Sequence, residues 1–341
     1  MIRTSLTWRS CAAAGVALTL ALASACSGSE GGSDDFSAVY VMSDNLGDKG
    51  FNDSAKAGFD KAKKDGVSTR LLQASPDDPQ LWRQNLESVS SSGKYDLVFT
   101  GPGMHDNLAD IAPANPDQKY VFFDDELDEP NVASVKYAQN EGSFLAGALA
   151  AQATLDTDAF PLADGSKKLA IVAGQDLPII QDFIVGFEQG VAAVDDSISV
   201  DVSFVGNFND AQKAYDLTET AIGGGADVVY NVSGPAGLGI LKAAADNDTY
   251  AIGVDSDQNG LHPEHVLGSM LKQIGNSVYD SIELERAGEL KFGELTVYGL
   301  ANDGVTLVYN EDLVSEEVQD KVSELKQQVV DGEITVESAF D

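Results

Sequence analysis

The chain carries one pattern twice, and that constrains its fold more than any other feature. The apolar run Ser37–Met42 (SAVYVM) answers Lys168–Ala173 (KLAIVA) at an offset of 131 residues. Asp96 in YDLVFTGPG answers Asp227 in ADVVYNVSGPAG, and Asp124 in KYVFFDDE answers Asp255 in TYAIGVDSD, again 131 apart. The pairs Gly58-Phe59 and Gly186-Phe187 lie in helical patterns, AKAGFDKAKKDG and FIVGFEQGVAAV, at an offset of 128. Self-similarity of this kind signals repeated structural units. Each copy reads strand, helix, strand, helix, strand. Runs such as LVFT, VVY and YVFF lack clean alternation, as strands buried on both faces of a parallel sheet do. Strands alternating with helices give an α/β fold of two doubly wound, Rossmann-like lobes with a cleft between them.

Ligands of open α/β sheets bind beyond the carboxyl ends of the strands. That directs attention to Asp44, Asp124, Gln175 and Asp255, each just after an apolar run. Residues 133–154 read as an Ala/Gly-rich helical connection between the copies, and 265–290 as one long amphipathic helix. A strand-like VTLVY (305–309) and a charged helix (315–331) follow, so the chain is expected to recross between lobes. The expected division is 37–138 with about 271–299 for the first lobe, and 139–270 with about 300–341 for the second.

Composition narrows the function. Asp and Glu number 55 against 21 Lys and Arg, a net charge of −34, which repels nucleic-acid backbones and anionic lipid. Both cysteines, Cys11 and Cys26, precede residue 27, so the body has no disulfide, cysteine zinc site or catalytic thiol. Arg3 and Arg9 precede an apolar stretch at 11–25, short for a span and suited to a signal peptide. Ala23, Ser24 and Ala25 lead into Cys26 and a flexible linker at 26–36, resembling a lipoprotein signal in which Cys26 is lipidated; ordinary secretory cleavage near residue 25 is the alternative. Loss of residues 1–25, with their two arginines, takes the charge to −36. No later segment approaches 18 apolar residues, so any membrane attachment is by lipid alone.

Catalytic chemistry finds little support. HPEH (262–265) offers two imidazoles but no separated third ligand, and reads as a loop rather than a metal site. GPAGLG (234–239) fits neither phosphate-loop pattern and reads as a strand-to-helix turn. No nucleophile elbow occurs. No cofactor is called for. Binding is better supported: Phe51 stands in the polar loop 43–59, either as a hydrophobic staple or as a platform for a flat ligand. Phe183 on the matching helix of the second lobe is placed to face it across the cleft. Asp124 and Asp255 are placed to accept hydrogen bonds from a ligand's hydroxyl or N–H groups.

Three stretches also carry a family resemblance: GDKGFNDSA (47–55), NVASVKYAQNEGSFLAGALAA (131–151) and IGVDSDQNG (252–260). They resemble the basic membrane protein (BMP) family, lipoprotein substrate-binding proteins of ABC transporters that include PnrA-like purine nucleoside receptors. The resemblance implies the two-lobed, hinged architecture of a type I periplasmic binding protein. It implies a purine nucleoside (guanosine, inosine or adenosine) stacked between Phe51 and Phe183. Polar contacts would come from Asp44, Asn52 and Asp124, with Asp125 next to it fitting the same register. The ribose would fall to Asp255 and to Lys272 in SMLKQ, with Lys272 near Asp255 keeping that carboxylate ionised. A permease and its ATPase are the implied partners of a monomeric, extracytoplasmic, lipid-anchored protein. Riboflavin or another small ligand is the alternative cargo, and a nucleoside or glycoside hydrolase the alternative activity.

Overall fold

The computed structural model describes residues 36–340. In chain order the elements are β1 (Ser37–Val41), α1 (Phe51–Lys64), β2 (Ser68–Leu72), α2 (Pro79–Ser90), β3 (Leu97–Thr100), α3 (His105–Ile111), β4 (Tyr120–Phe123) and β5 (Val132–Tyr137). Then come α4 (Gln139–Leu155), β6 (Lys168–Ala173), α5 (Pro178–Val194), β7 (Ser199–Phe204), α6 (Ala211–Gly223), β8 (Val228–Val232), α7 (Gly237–Asp246) and β9 (Tyr250–Asp255). The chain ends with β10 (Val266–Lys272), α8 (Ile274–Ala287), β11 (Glu294–Tyr298), β12 (Val305–Tyr309) and α9 (Glu316–Val330). Two six-stranded sheets result, in the orders β11-β5-β4-β3-β1-β2 and β12-β10-β9-β8-β6-β7. Every pairing is parallel except β10 with β12. The two-lobed α/β reading of the repeat holds.

The backbone passes between the two sheets three times, around Ala138, Gln273 and Gly299. The crossings are tied to neighbouring chain: the Ala138 N–H donates to the Tyr298 carbonyl (2.9 Å) and the Gln273 N–H to the Gly304 carbonyl (2.9 Å). The Leu300 N–H donates to the Glu141 carboxylate (2.7 Å). Beyond α9 the tail returns to the first crossing. Asn140 Nδ2 donates to the Val336 carbonyl (3.0 Å), and the Ala339 N–H and Ser338 hydroxyl to Asp182 Oδ1 (2.9 and 2.7 Å).

The repeated Gly-Phe pairs have one structural job. A side chain at Gly58 would lie 2.2 Å from the Gly275 carbonyl oxygen, and one at Gly186 would lie 2.1 Å from that of Asn140. These glycines let α1 lie against α8 and α5 against α4 at backbone distance, closer than any Cβ allows. The adjoining phenylalanines are fully buried. Phe59 stacks on Tyr40 (centroids 5.8 Å apart) and Phe187 on Tyr230 (5.1 Å).

Three readings of the sequence are corrected. Residues 132–137, placed mostly in the helical connection, form β5. Its alternate residues Ala133, Val135 and Tyr137 pack into the core. The supposed long helix at 265–290 is strand β10 followed by α8, so Lys272 ends a strand. VLGSMLK is flanked on both edges by β9 and β12 and is buried on both faces; its run into a genuine helix mimicked one helical period. Each lobe also has a strand and helix between the first helix and the Asp96 or Asp227 strand. Those strands, STRLL (β2) and SVDVSF (β7), lie at sheet edges and are largely solvent-facing, so they lack the apolar run that marks a buried strand.

Candidate functional site

The residues at the strand ends converge on the seam between the lobes. Asp124 and Asp255, 131 residues apart, adopt the same left-handed backbone conformation, φ +66° and +65°. That conformation is tolerated best by Gly, Asn and Asp, and turns the chain sharply off the strand end. Lys272, at the end of β10, reaches from the second lobe to the first, where its ammonium pairs with the Asp124 carboxylate. Both groups are nearly inaccessible, with 2% and 6% of their side chains exposed. Burial pushes the Asp124 carboxyl up from its usual range, and the ammonium pulls it back down.

Aromatic rings surround that ammonium. Its Nζ lies 5.1 Å from the Tyr137 ring centroid, 5.3 Å from Phe183 and 5.8 Å from Phe51. Such distances are within cation–π range. Phe51, the first residue of α1, keeps a half-buried ring lying against Phe123, centroids 5.6 Å apart. The two phenylalanines that the sequence pairs across the cleft therefore both approach one cation.

The α1 terminus is set by Asp48, whose Oδ1 accepts the N–H groups of Gly50 and Asp53 (both 3.1 Å) and whose Oδ2 accepts that of Asn52 (2.7 Å). A carboxylate there satisfies helix donors that would otherwise be orphaned. The Asn52 side chain is turned inward, its Oδ1 accepting the Tyr40 hydroxyl (2.9 Å). Lys49 takes φ +52° and aims its carbonyl at the other lobe, where it accepts the Ser256 hydroxyl (2.6 Å) and Gln258 Nε2 (2.9 Å).

Asp255 differs from Asp124. No hydrogen bond from any described residue reaches its carboxyl, although only 8% of the residue is exposed. Burial pushes it up to about 7; Lys272 lowers it through space, while Asp124 and Asp48 raise it. The expectation that Lys272 holds Asp255 ionised is thus corrected: the lysine bonds Asp124 across the seam instead. A cavity of about 390 Å³ opens beside these groups, lined by Lys49, Asp53, Asp255, Ser256, Leu271 and Lys272 among others.

The remaining sequence candidates are placed as follows. Asp44 is half-buried in the loop after β1, accepts the Asn45 N–H (2.7 Å), and is pushed up by burial, with Asp48 and Asp77 adding to it. Asp125 turns away from the seam to His105 Nδ1 (2.7 Å), which leaves Asp124 as the acid of that strand end. Gln175 donates to the Gly206 carbonyl (3.2 Å). Cys26 lies outside the described residues. Among the described residues no group of three His, Cys, Asp or Glu could hold a metal ion, and no helix is long and apolar enough to cross a membrane.

Several residues escaped the sequence reading. Asp48 was visible only as part of a motif, although an acid a few residues before a helical run is a capping signal. Tyr137 was hidden in the misread strand β5. Phe208 occupies the polar loop GNFND after β7, half-buried, its ring packed where a side chain at Gly174 would stand and in contact distance of Gly234. Those glycines follow β6 and β8, so the ring lies at the carboxyl edge of the second sheet. The same signal that singled out Phe51, an aromatic in a polar strand-to-helix loop, applies to it.

Comparison with known proteins follows the same lines. Residues 36–339 match the model of the Bmp family, described as ABC transporter substrate-binding protein PnrA-like. The chain belongs to the Bmp family. An ABC transporter nucleoside-binding protein, BmpA of Lactococcus lactis, is 30% identical over 326 residues, 88% of each chain. Basic membrane protein D of Borreliella burgdorferi is 29% identical, covering 92% of this chain and 91% of its own. Among solved structures, an ABC transporter solute-binding protein from Aeropyrum pernix superposes with a TM-score of 0.78 at 26% identity, covering 88% of this chain and 92% of its own. A transcriptional activator of the comK gene from Bacillus halodurans shares the fold at TM-score 0.73 and 18% identity. As a Bmp protein the chain is an ABC transporter substrate-binding protein, a class that takes a small-molecule ligand and hands it to a permease.

Proposed function

We propose that this substrate-binding protein takes a purine nucleoside (guanosine, inosine or adenosine) into the cleft between its lobes and delivers it, without chemical change, to a membrane permease powered by an ATPase. The observation that carries the reading is the seam itself: one buried ammonium, two turned aspartates and the rings of Phe51, Phe183 and Tyr137 within a few ångströms of it. A purine held against two phenylalanines gains stacking of about 0.5–1.5 kcal/mol beyond its buried area. Carboxylates accepting from ligand N–H or O–H groups add charge-assisted bonds of about 1.5–3 kcal/mol each. Asp124 and Asp255 share the one buried ammonium and Asp48 adds its charge beside Asp255, which disfavours a phosphate and favours a nucleoside over a nucleotide. The nucleoside-binding name of the Lactococcus lactis relative agrees. We place the protein on the extracytoplasmic face, monomeric and anchored through a lipid on Cys26.

Calorimetry and thermal shift with adenosine, guanosine, inosine, pyrimidine nucleosides, a nucleotide, free bases, ribose and riboflavin test the proposal. Ligand at 100 times its dissociation constant raises stability by about 2.7 kcal/mol. Saturable purine-nucleoside binding, lost in Phe51→Ala and Asp255→Ala, is the expected result. A response to riboflavin or a sugar alone would discard the nucleoside and keep the transport role. Release of free base from the bound nucleoside would overturn the non-enzymatic reading. Incorporation of labelled fatty acid, abolished in Cys26→Ser, tests the anchor.

A further inference from the structure

The loop before α1 turns one main-chain acceptor of the first lobe towards the second. Lys49 takes φ +52°, in the left-handed region that residues other than glycine seldom enter. An outlier of this kind marks a backbone held in place by its surroundings. The hold is the Asp53 carboxylate, whose Oδ1 accepts the Gly47 N–H (2.9 Å) and whose Oδ2 accepts the Lys49 N–H (3.1 Å). The turned carbonyl receives two donors from the second lobe, the Ser256 hydroxyl and Gln258 Nε2 (2.6 and 2.9 Å).

Gln258 is built to present its donor, with only 2% of the residue exposed. Its Oε1 accepts the Val254 N–H of β9 (3.1 Å) and Asn231 Nδ2 of β8 (3.3 Å). Its backbone N–H donates to the Ser269 hydroxyl of β10 (3.0 Å). Three strands of the second sheet thus fix the carboxamide with its oxygen inward and its nitrogen across the seam. We propose that the Lys49 carbonyl and the Gln258–Ser256 donor pair form a latch, which sets how long the lobes stay together and how slowly bound solute leaves, without touching the solute. Parting the lobes takes a buried donor from its partner, a cost that falls on opening alone. The inference rests on the substrate-binding class of the protein and not on which solute it takes.

One atom inverts the latch. Gln258→Glu keeps the inward acceptor and replaces the outward donor with a second oxygen. As a carboxylate, that oxygen opposes the Lys49 carbonyl, acceptor against acceptor; as a carboxylic acid, it donates as the amide did. Burial raises the titration of such a carboxyl above the usual glutamate value of about 4.3, so acid restores the bond and alkali breaks it. The charged groups lining the adjoining cavity are Lys49 and Asp53 from the first lobe, Asp255 at the end of β9, Asp257 just after it and Lys272 from β10. Asp48 adjoins Lys49 in its loop. All of them are present in the parent, which is therefore measured at each pH as the reference.

The whole protein is compared with Ser256→Ala and Gln258→Glu at pH 5 and pH 8. X-ray scattering without ligand reads the separation of the lobes, and stopped-flow release of guanosine reads the dissociation rate. At pH 8, Gln258→Glu should show a larger radius of gyration than the parent and release guanosine about tenfold faster or more. At pH 5 both quantities should return towards those of the parent. Ser256→Ala, which loses one of the two donors from a half-buried side chain, should speed release about two- to tenfold at both pH values. Equal loosening of Gln258→Glu at pH 5 and pH 8 would mark plain damage to the fold and overturn the latch. Scattering and release like the parent's in both variants would overturn it too. If guanosine did not bind the parent, the nucleoside reading would fall, and the ligand-free scattering of Gln258→Glu at the two pH values would still decide the latch.

Discussion

Lys272→Met removes the ammonium that joins the two lobes and keeps an unbranched apolar side chain in its place. Asp124 is then a carboxylate with 6% of its side chain exposed and no ammonium bonded to it, only Lys136 acting on it through space. Breaking a buried ion pair on one side costs about 3–5 kcal/mol. A second route gives the same size: the carboxyl escapes by protonating, and holding a proton at pH 7 that is normally lost near 3.9 costs about 4 kcal/mol. The protein has a further escape, because the pair spans the seam: if the lobes part, water solvates Asp124 and the loss appears as expansion. At pH 8 the variant should melt roughly 4–7 °C lower, at about 1.4 °C per kcal/mol for a chain of 341 residues, or show a larger radius of gyration in X-ray scattering. At pH 5 or below the penalty should shrink, since an acid whose folded-state titration is raised loses stability as pH climbs from about 4 towards that raised value. Asp124→Asn in the same background should restore most of the loss. A variant that melts within about 2 °C of the parent at pH 8, with unchanged scattering, would refute the reasoning.

Asp255→Asn should raise the melting midpoint at pH 8, by up to the equivalent of about 4 kcal/mol, and leave it nearly unchanged at pH 4; scanning calorimetry across pH reads both. Gly190→Ala places a methyl 1.9 Å from the Phe144 carbonyl oxygen where α5 meets α4, and chemical denaturation should show a loss of about 1–3 kcal/mol or more. Raising salt from 0.1 to 1 M should stabilise a chain of net charge −34 by screening self-repulsion; a midpoint that falls with salt would contradict it.

The two-lobed fold was legible because the repeated strands are buried on both faces, and continuous apolar runs mark such strands without reference to partners. Edge strands β2 and β7 were invisible for the converse reason: with no fully buried residue and alternate side chains in water, STRLL and SVDVSF resemble loops. The β10–α8 junction misled because strand and helix are separated by one residue, Gln273, with no glycine or proline between them. At the site, the equivalence of Asp124 and Asp255 followed from the 131-residue offset and reappears in their backbone angles. Their different chemistry did not follow, since it depends on where one lysine reaches across the seam. Nor could sequence show that the Ser256 and Gln258 side chains are engaged by a carbonyl of the other lobe, because that depends on how the lobes meet.

Three crossings join the lobes, and their number limits how the lobes can move. Two bodies linked by a single strand can swivel about it, twist and fold in any combination. Two bodies linked by three, with the first held to the third and the second to the chain just beyond it, keep one easy motion, a bend about the line of the links. Opening is then a single coordinate. One distance, measured between a probe on each sheet, is enough to follow the protein from empty to loaded.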